Sequence, residues 1–176
     1  NMKKVLFAIP LALALTGCGS DIDLVKGGVM EFNQTTTLGK ALDNWKSCES
    51  REWEEFETDN GIKVVQFTCQ HKISQYMSKA KSLLSEEEQA KANHLDIASN
   101  IQTFQFTINQ GDTFQIDNVQ VKTTWQDGTS FEDSQKPVEQ LETAYANNLN
   151  FDPAELNEMG AAQISYVFSM IKMRAK

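Results

Sequence analysis

The sequence predicts an α+β fold in which helices pack on one face of a single antiparallel sheet. Two β-type runs flank Asn60-Gly61, a dipeptide that marks a tight hairpin turn. Apolar residues recur at helical spacing over residues 73–84 and again over residues 164–171. The predicted order is therefore helix, hairpin, helices, strands and helices, which is typical of the α+β class.

The size and charge of the chain limit its possible partners. It has 176 residues and a formal net charge of −8. We expect residues 35–176 to form one domain, which is long enough to bury its own core. Residues 1–17 contain two lysines and no acid, so the remainder carries −10. This charge argues against a nucleic-acid partner and against basic attachment to anionic lipid.

The first elements of the domain are predicted from short patterns. Residues 29–33 are typical of a short edge strand. A helix is predicted over residues 37–45, because Thr36 or Thr37 can cap its N-terminus. Its apolar face consists of Leu38, Leu42 and Trp45.

The hairpin is predicted over residues 52–69, with Asn60-Gly61 as a type I′ turn in which both central residues have positive φ. This turn places Trp53 on the opposite sheet face from Phe67. An exposed Trp53 is a candidate for binding a partner, because tryptophan is enriched at interface hot spots. The alternative is that the chain's own helices cover it.

Helices and then strands are predicted after the hairpin. A helix covers residues 73–84, and a second helical piece begins at the capping box of Ser85. Strand patterns follow at residues 104–108 and 114–125. The alternation changes phase at Asp117-Asn118, which indicates a bulge or a second turn.

Helices are predicted at the end of the sequence, after a tight turn at Asp127-Gly128. Pro137 opens one helix that runs to about Asn147. Asp152-Pro153 supplies the N-cap and the first position of the last helix. The apolar stripe predicted to face the core is Ile164, Val167, Phe168 and Ile171.

The N-terminal residues resemble the signal peptide of bacterial lipoprotein precursors. Lys3-Lys4 precede an uncharged apolar run that is too short to span a bilayer, for which roughly 20 apolar residues are needed. Leu15-Thr16-Gly17-Cys18 is similar to a lipobox. The resemblance implies that residues 1–17 are removed and that Cys18 carries acyl chains such as palmitate. The alternative is an ordinary secretory signal with a chance cysteine; Asn1 stands before the expected natural start.

The resemblance to a lipobox also predicts where in the cell the protein is located. Residues 18–34 are expected to be the lipidated cysteine and a flexible tether, given their glycines and weak periodicity. Gly19 follows the cysteine where aspartate, by analogy with enteric sorting rules, would favour the inner membrane. We therefore expect a lipid anchor in the outer membrane of a Gram-negative bacterium, with the domain facing the periplasm.

The other two cysteines are expected to form a disulfide. Once Cys18 carries lipid, Cys48 and Cys69 remain in an oxidising compartment. The predicted hairpin places Cys69 opposite Glu52, close to the end of the preceding helix. The alternative is a metal or redox pair that includes His71, but there is no CxxC motif and no second histidine nearby.

No catalytic motif is present in the sequence, which lacks GxSxG, HExxH, Walker and dinucleotide-binding patterns. His71 and His94 lack partner motifs and are expected to be surface or capping residues. We therefore expect no enzyme activity, no catalytic residues, no metal and no cofactor.

Residues 35–70 resemble a helix–hairpin unit of small, uncharacterised lipoproteins of Gram-negative bacteria. They also resemble, loosely, modules of outer-membrane assembly lipoproteins and of the β-lactamase inhibitory protein. The resemblance implies a module that binds an envelope protein or takes part in envelope assembly. The alternative function is a carrier or sensor of a small apolar ligand, which requires an enclosed cavity lined by Phe, Met and Ile side chains. A hydrolase is the third hypothesis.

Overall fold

The computed structural model describes residues 20–176 and has the predicted α+β class, so the signal peptide and Cys18 lie outside the described residues. Five strands form one fully antiparallel sheet, in the same order along the chain and across the sheet. The strands are β1 (Cys48–Glu57), β2 (Lys63–His71), β3 (Ile97–Ile108), β4 (Phe114–Trp125) and β5 (Ser130–Gln135).

Six α-helices and two 3₁₀ turns are found among the described residues. The 3₁₀ turns are Asn93–Leu95 and Pro153–Glu155. The α-helices are α1 (Asp21–Lys26), α2 (Leu38–Asp43), α3 (Ser74–Ser82), α4 (Glu86–Gln89), α5 (Pro137–Tyr145) and α6 (Glu158–Arg174).

Helices α1, α2 and α5 cover one face of the sheet and enclose the larger core. Phe67, Phe104 and Val119 lie in one cross-strand row, and all three are fully buried. Val25 of α1 and Leu141 of α5 are also 0% exposed and belong to the same cluster. The helices therefore pack on one face, as predicted.

A second core lies at the end of the sheet where Ile97 pairs with Trp125. Helix α3 contributes Met77 and Ala80, and α6 contributes Phe168. The Trp125 indole Nε1–H donates to the His94 carbonyl at 2.9 Å. This core fixes α6 to the end of the sheet and leaves the opposite side of that helix without a partner among the described residues.

The flexible tether predicted over residues 18–34 is wrong from Ser20 onward. Ser20 Oγ accepts the Asp23 backbone N–H at 3.1 Å and caps α1. Val25 is completely buried, and the Ile22 N–H donates to Glu55 of β1 at 3.0 Å. The edge strand predicted at residues 29–33 is also wrong, since this segment forms only an isolated bridge across a tight turn. These residues belong to the domain.

The hairpin is confirmed, but its turn differs from the predicted one. Only Gly61 has positive φ there, at 77°, and the Thr58 N–H donates to the Ile62 carbonyl at 2.8 Å, which leaves residues 59–61 as the loop. The connection is therefore a three-residue loop ending in a glycine bulge, instead of the two-residue type I′ turn. The pairing moves by one residue, so Cys69 lies opposite Arg51 instead of Glu52.

The predicted phase change in β4 is confirmed as a bulge. Gln105 pairs with Asn118 and Phe106 pairs with Ile116, so Asp117 is the extra residue. The last helix differs from its prediction, because Asp152 caps the 3₁₀ turn Pro153–Glu155. Helix α6 begins later, and the Asn157 side chain caps it by accepting the Gly160 N–H at 2.8 Å.

Candidate functional site

The predicted disulfide between Cys48 and Cys69 is present, with the two Cα atoms 5.3 Å apart. It joins the first residue of β1 to β2, and both cysteines are buried within the larger core. Since both sulfur atoms are bonded to each other, the alternative of a metal or redox pair with His71 is not supported. Among residues 20–176 there is no group of three side chains suited to hold a metal ion.

Trp53, the predicted partner-binding residue, lies on the core side of the sheet. The altered hairpin pairing places it opposite Phe67, and the two ring centroids are 4.9 Å apart. Its indole N–H donates to Asp43 of α2 at 2.7 Å, and the Lys26 ammonium of α1 lies 5.3 Å from its ring centroid. Of the two expectations for Trp53, coverage by the chain's own helices is therefore the one that the structure shows: the side chain is half-buried and is not an exposed surface for a partner.

His71, the last residue of β2, is buried and only 1% exposed. The prediction of a surface residue is therefore wrong. Its Nε2 is 2.8 Å from Gln102 Oε1, and its Nδ1 is 2.7 Å from Ser47 Oγ. The Gln102 amide donates to Gln135 and Gln140, so Gln102 Oε1 accepts from the His71 Nε2–H. Nδ1 then accepts the hydroxyl proton of Ser47.

Burial lowers the pKa of His71 to about 4, because desolvation of the charged ring outweighs its hydrogen bond to Gln102. The ring is therefore neutral at pH 7.

Ser47 and His71 contact each other as a nucleophile and a base do, but the serine is 0% exposed. Its Oγ also accepts the Asn150 backbone N–H at 3.0 Å. This closed arrangement joins the loop after α5 to the start of β1.

His94, like His71, is held by hydrogen bonds within the chain. Its Nε2 lies 2.7 Å from Ser165 Oγ on α6, and burial lowers its pKa. Its carbonyl receives the Trp125 indole N–H. His94 thus connects the end of the sheet to α6, and it lies on a different core from His71.

The second face of the sheet carries polar side chains. Asn118 donates its side-chain amide to Gln105 at 3.2 Å, and Gln105 donates to Gln66 at 2.9 Å. A shallow cavity of about 330 Å³ lies on this face and is lined by residues that include Thr68, Ile101, Thr103, Lys122 and Glu132. The lining combines hydroxyl, amide and charged side chains with the apolar side chains of Ile101 and Val121.

A second cavity, of about 470 Å³, lies beside the loop that follows α5. Its lining includes Lys46, Gln140, Asn148, Asn150 and Glu155. Two of these, Gln140 and Asn150, also contact the buried network around His71. Neither cavity has the Phe and Met lining that a carrier of a small apolar ligand requires.

The outward side of α6 carries five of the nine large hydrophobic residues that are exposed among the described residues. Met159 is 73% exposed, Tyr166 is 67%, Met170 is 48% and Met173 is 80%. Together with the exposed Ala162 they form one stripe at helical spacing. We call this stripe the outer face of α6: Met159, Ala162, Tyr166, Met170 and Met173.

The opposite side of α6 is apolar as well. Ala161 is 0% exposed and Phe168 is 6% exposed, while Ile164 and Ile171 pack against the same core. The prediction that Val167 belongs to this buried stripe is wrong, since it is 46% exposed. A helix that is apolar on both sides is normally buried on both sides. The outer face was not predicted from the sequence, because only one apolar stripe was expected on this helix, although the second is visible in the spacing.

Among the described residues, none of the helices combines the length and apolar character needed to cross a membrane.

Residues 2–18 match the model of the prokaryotic membrane lipoprotein lipid attachment site, which ends on Cys18. The chain is therefore a lipoprotein precursor that becomes anchored to a membrane through lipid. No curated protein and no solved structure matches the chain.

Proposed function

We propose that the mature chain is an outer-membrane lipoprotein that faces the periplasm and binds an envelope protein through the outer face of α6. The exposure of this apolar stripe is the observation that carries the proposal. Large apolar patches on a folded domain mark interaction sites, and methionine and tyrosine are enriched in them. The patch lies on a long helix fixed by its own core, so it is presented as a preformed surface.

The position of the anchor supports a role close to the membrane. Helix α1 begins at Asp21, three residues after Cys18. Three residues span at most about 11 Å, so the domain stays close to the lipid headgroups. A partner is therefore one that is itself in or near the same membrane.

The other two hypotheses have less support. Both cavities are open to solvent and neither is lined by Phe or Met side chains, which disfavours a carrier or sensor of a small apolar ligand. A hydrolase would need an accessible nucleophile, and Ser47, which contacts His71, is fully buried. We therefore retain the proposal that the protein has no enzymatic activity and requires no cofactor.

Photo-crosslinking tests the binding surface directly. A Tyr166→benzoylphenylalanine variant of the full chain is expressed in a bacterial host, and its membranes are illuminated. We expect an adduct heavier than the monomer. The matched control is Glu142→benzoylphenylalanine, since Glu142 is exposed on α5 and lies away from α6. Equal adduct formation by both variants, or none by either, would contradict the proposal.

Membrane fractionation tests the proposed location. The wild-type chain is expected in the outer-membrane fraction and labelled by a fatty-acid probe. Cys18→Ala is expected to lose the label and leave the membrane. Gly19→Asp should keep the label but move to the inner membrane. A wild-type chain found in the inner membrane would refute the location without affecting the lipid attachment.

A further inference from the structure

We propose that the free edge of β1 binds an extended, basic segment of a partner protein, which adds to the five-stranded sheet as a further strand. This edge is separate from the outer face of α6, because α6 packs against β5 at the other edge of the sheet. The inference therefore goes beyond the proposed function and does not depend on it. Three observations support it: the backbone groups that β1 leaves unpaired, the closed edge at β5, and the charges of β1.

The backbone of β1 has hydrogen-bonding groups that point away from the sheet. The strand lies at the edge and pairs only with β2. The Thr58 N–H donates to the Ile62 carbonyl, and hydrogen-bonded and non-hydrogen-bonded pairs alternate from there along the hairpin. Within residues 20–176, no backbone group from outside the hairpin pairs with the residues whose N–H and C=O groups point outward. These residues are Arg51, Trp53, Glu55 and Glu57.

The edge at β5, in contrast, is largely closed by the chain itself. By the same alternation, its outward residues are 130, 132 and 134. Ser130 exchanges two backbone hydrogen bonds with Lys176, both at 3.0 Å, and the Ser134 N–H donates to the Asp133 side chain at 2.9 Å. An unpaired edge is a template for strand addition. In the described part of the chain, β1 is therefore the edge that can accept a strand.

Helix α1 leaves the edge of β1 accessible. It contacts both β1 and β2, and its Val25 side chain is fully buried in the larger core, so it lies over the face of the sheet. The disulfide at Cys48 and the packing of Trp53 against Phe67 hold β1 in its extended form. A partner segment would therefore meet a preformed edge, which lowers the cost of binding.

The charges of β1 determine which segment fits. The strand carries five carboxylates and one guanidinium: Glu49, Glu52, Glu54, Glu55, Glu57 and Arg51. Burial and the neighbouring Glu52 carboxylate raise the pKa of Glu54, which lies on the same face of the strand. A second copy of β1 would add five more carboxylates along this edge, and like charges opposite each other are destabilising. A segment with lysine or arginine at alternate positions would instead pair with Glu52 and Glu54.

Peptide binding to the full chain in an uncharged detergent tests the proposal. The probe is a fluorescent peptide of alternating threonine and lysine, long enough to extend along residues 51–57, and fluorescence anisotropy measures its binding. We expect saturable binding, and no binding when glutamate replaces the lysines. A benzoylphenylalanine at the centre of the peptide should attach on illumination to residues 48–57, which mass spectrometry of the digested adduct identifies.

Two controls separate strand addition from attraction by net charge. The lysine peptide with methylated backbone nitrogens keeps its charge but loses its donors, so it should bind about tenfold more weakly. Glu52→Gln/Glu54→Gln should weaken binding of the unmodified peptide about fivefold, because two cross-strand charge pairs are lost. The matched variant Glu86→Gln/Glu87→Gln makes the same change in net charge on exposed residues of α4 and should bind as the wild type does.

The results that would overturn the proposal are distinct. If the methylated peptide binds as tightly as the unmodified one, or if both double variants lose the same affinity, net charge alone attracts the peptide and strand addition is refuted. Absence of binding, or an adduct mapped outside β1, would refute it too. None of these results affects the outer face of α6, which photo-crosslinking from position 166 tests independently.

Discussion

At the residue scale, His71 links the buried hydrogen-bond network to the pH dependence of folding. The pKa of the ring is about 4 in the folded chain, against an ordinary value of 6.5. Below pH 6.5 the unfolded chain takes up a proton that the folded chain does not, down to about pH 4. The network therefore stabilises the fold fully above pH 6.5, and this contribution falls as the pH drops from 6.5 to 4.

We expect the free energy of unfolding to fall by about 2 kcal/mol between pH 7.5 and pH 5 through His71 alone. Urea unfolding at the two pH values measures this. The matched variant is His71→Gln, which carries no titrating ring and should lose most of the difference, although it is less stable at both pH values. An unchanged pH dependence in His71→Gln would assign the effect to other groups, including His94, whose pKa is also lowered.

Trp53 supplies a second test at this scale, because its contacts assign it to stability instead of binding. Trp53→Ala removes the packing against Phe67 and the hydrogen bond to Asp43. We expect it to lower the free energy of unfolding by about 2–3 kcal/mol, less than the loss at a fully buried aromatic residue. Photo-crosslinking from position 166 should be unchanged at a temperature where the variant is folded. A loss of the adduct without a loss of stability would restore Trp53 as a binding residue.

At the scale of elements, the hairpin explains both what the sequence predicted and what it did not. The Asn-Gly signal located the turn correctly, yet a three-residue loop satisfies it as well as a two-residue one does. The difference of one residue moved Trp53 from the exposed face to the core face. Local sequence carries no information on this choice, which the packing of Trp53 against Phe67 and α2 decides. The bulge in β4, by contrast, was predictable because the alternation of apolar residues records it directly.

The helices, like the hairpin, could be predicted from the sequence only in part. Apolar spacing predicted the buried side of α6 but not the significance of the outer face, because spacing alone does not tell which stripe faces the core. Helix α1 has only six residues and too few apolar positions to reveal a pattern. Its helical state depends on the burial of Val25, which is a tertiary effect. The anchor cysteine and the disulfide were predictable, since each follows from a cysteine count and a processing motif.

Removing the disulfide is expected to lower the stability of the fold. Cys48 and Cys69 are 21 residues apart, and their bond connects the two strands of the hairpin. Replacing both with alanine should lower the free energy of unfolding by about 3 kcal/mol, because the unfolded chain gains the freedom of an open loop. Urea unfolding of Cys48→Ala/Cys69→Ala against the wild type measures the change. A loss below about 1 kcal/mol would mean that the hairpin and α2 already constrain this segment in the unfolded chain.

At the scale of the whole molecule, the domain boundary determines how the protein is held at the membrane. Residues expected to form a flexible tether instead form α1 and the turn before α2. The Leu38 N–H donates to the Gly28 carbonyl at 2.9 Å. The distance between lipid and domain is therefore set by the two residues after Cys18. A lipid on Cys18 would hold the domain close to the membrane, which limits the orientations in which the outer face of α6 can meet a partner.

A truncation tests this boundary. A chain that begins at residue 35 lacks α1, so the buried side chain of Val25 and the salt bridge between Lys26 and Asp43 are lost. We expect its free energy of unfolding to be about 3 kcal/mol below that of a chain beginning at Ser20, mainly because the apolar surface beneath α1 becomes exposed to water. As a control, a glycine–serine segment inserted between Gly19 and Ser20 should leave stability unchanged and lengthen only the link to the lipid. If the chain beginning at residue 35 were as stable as the longer one, residues 20–34 would be a tether after all, and the close attachment to the membrane would no longer follow.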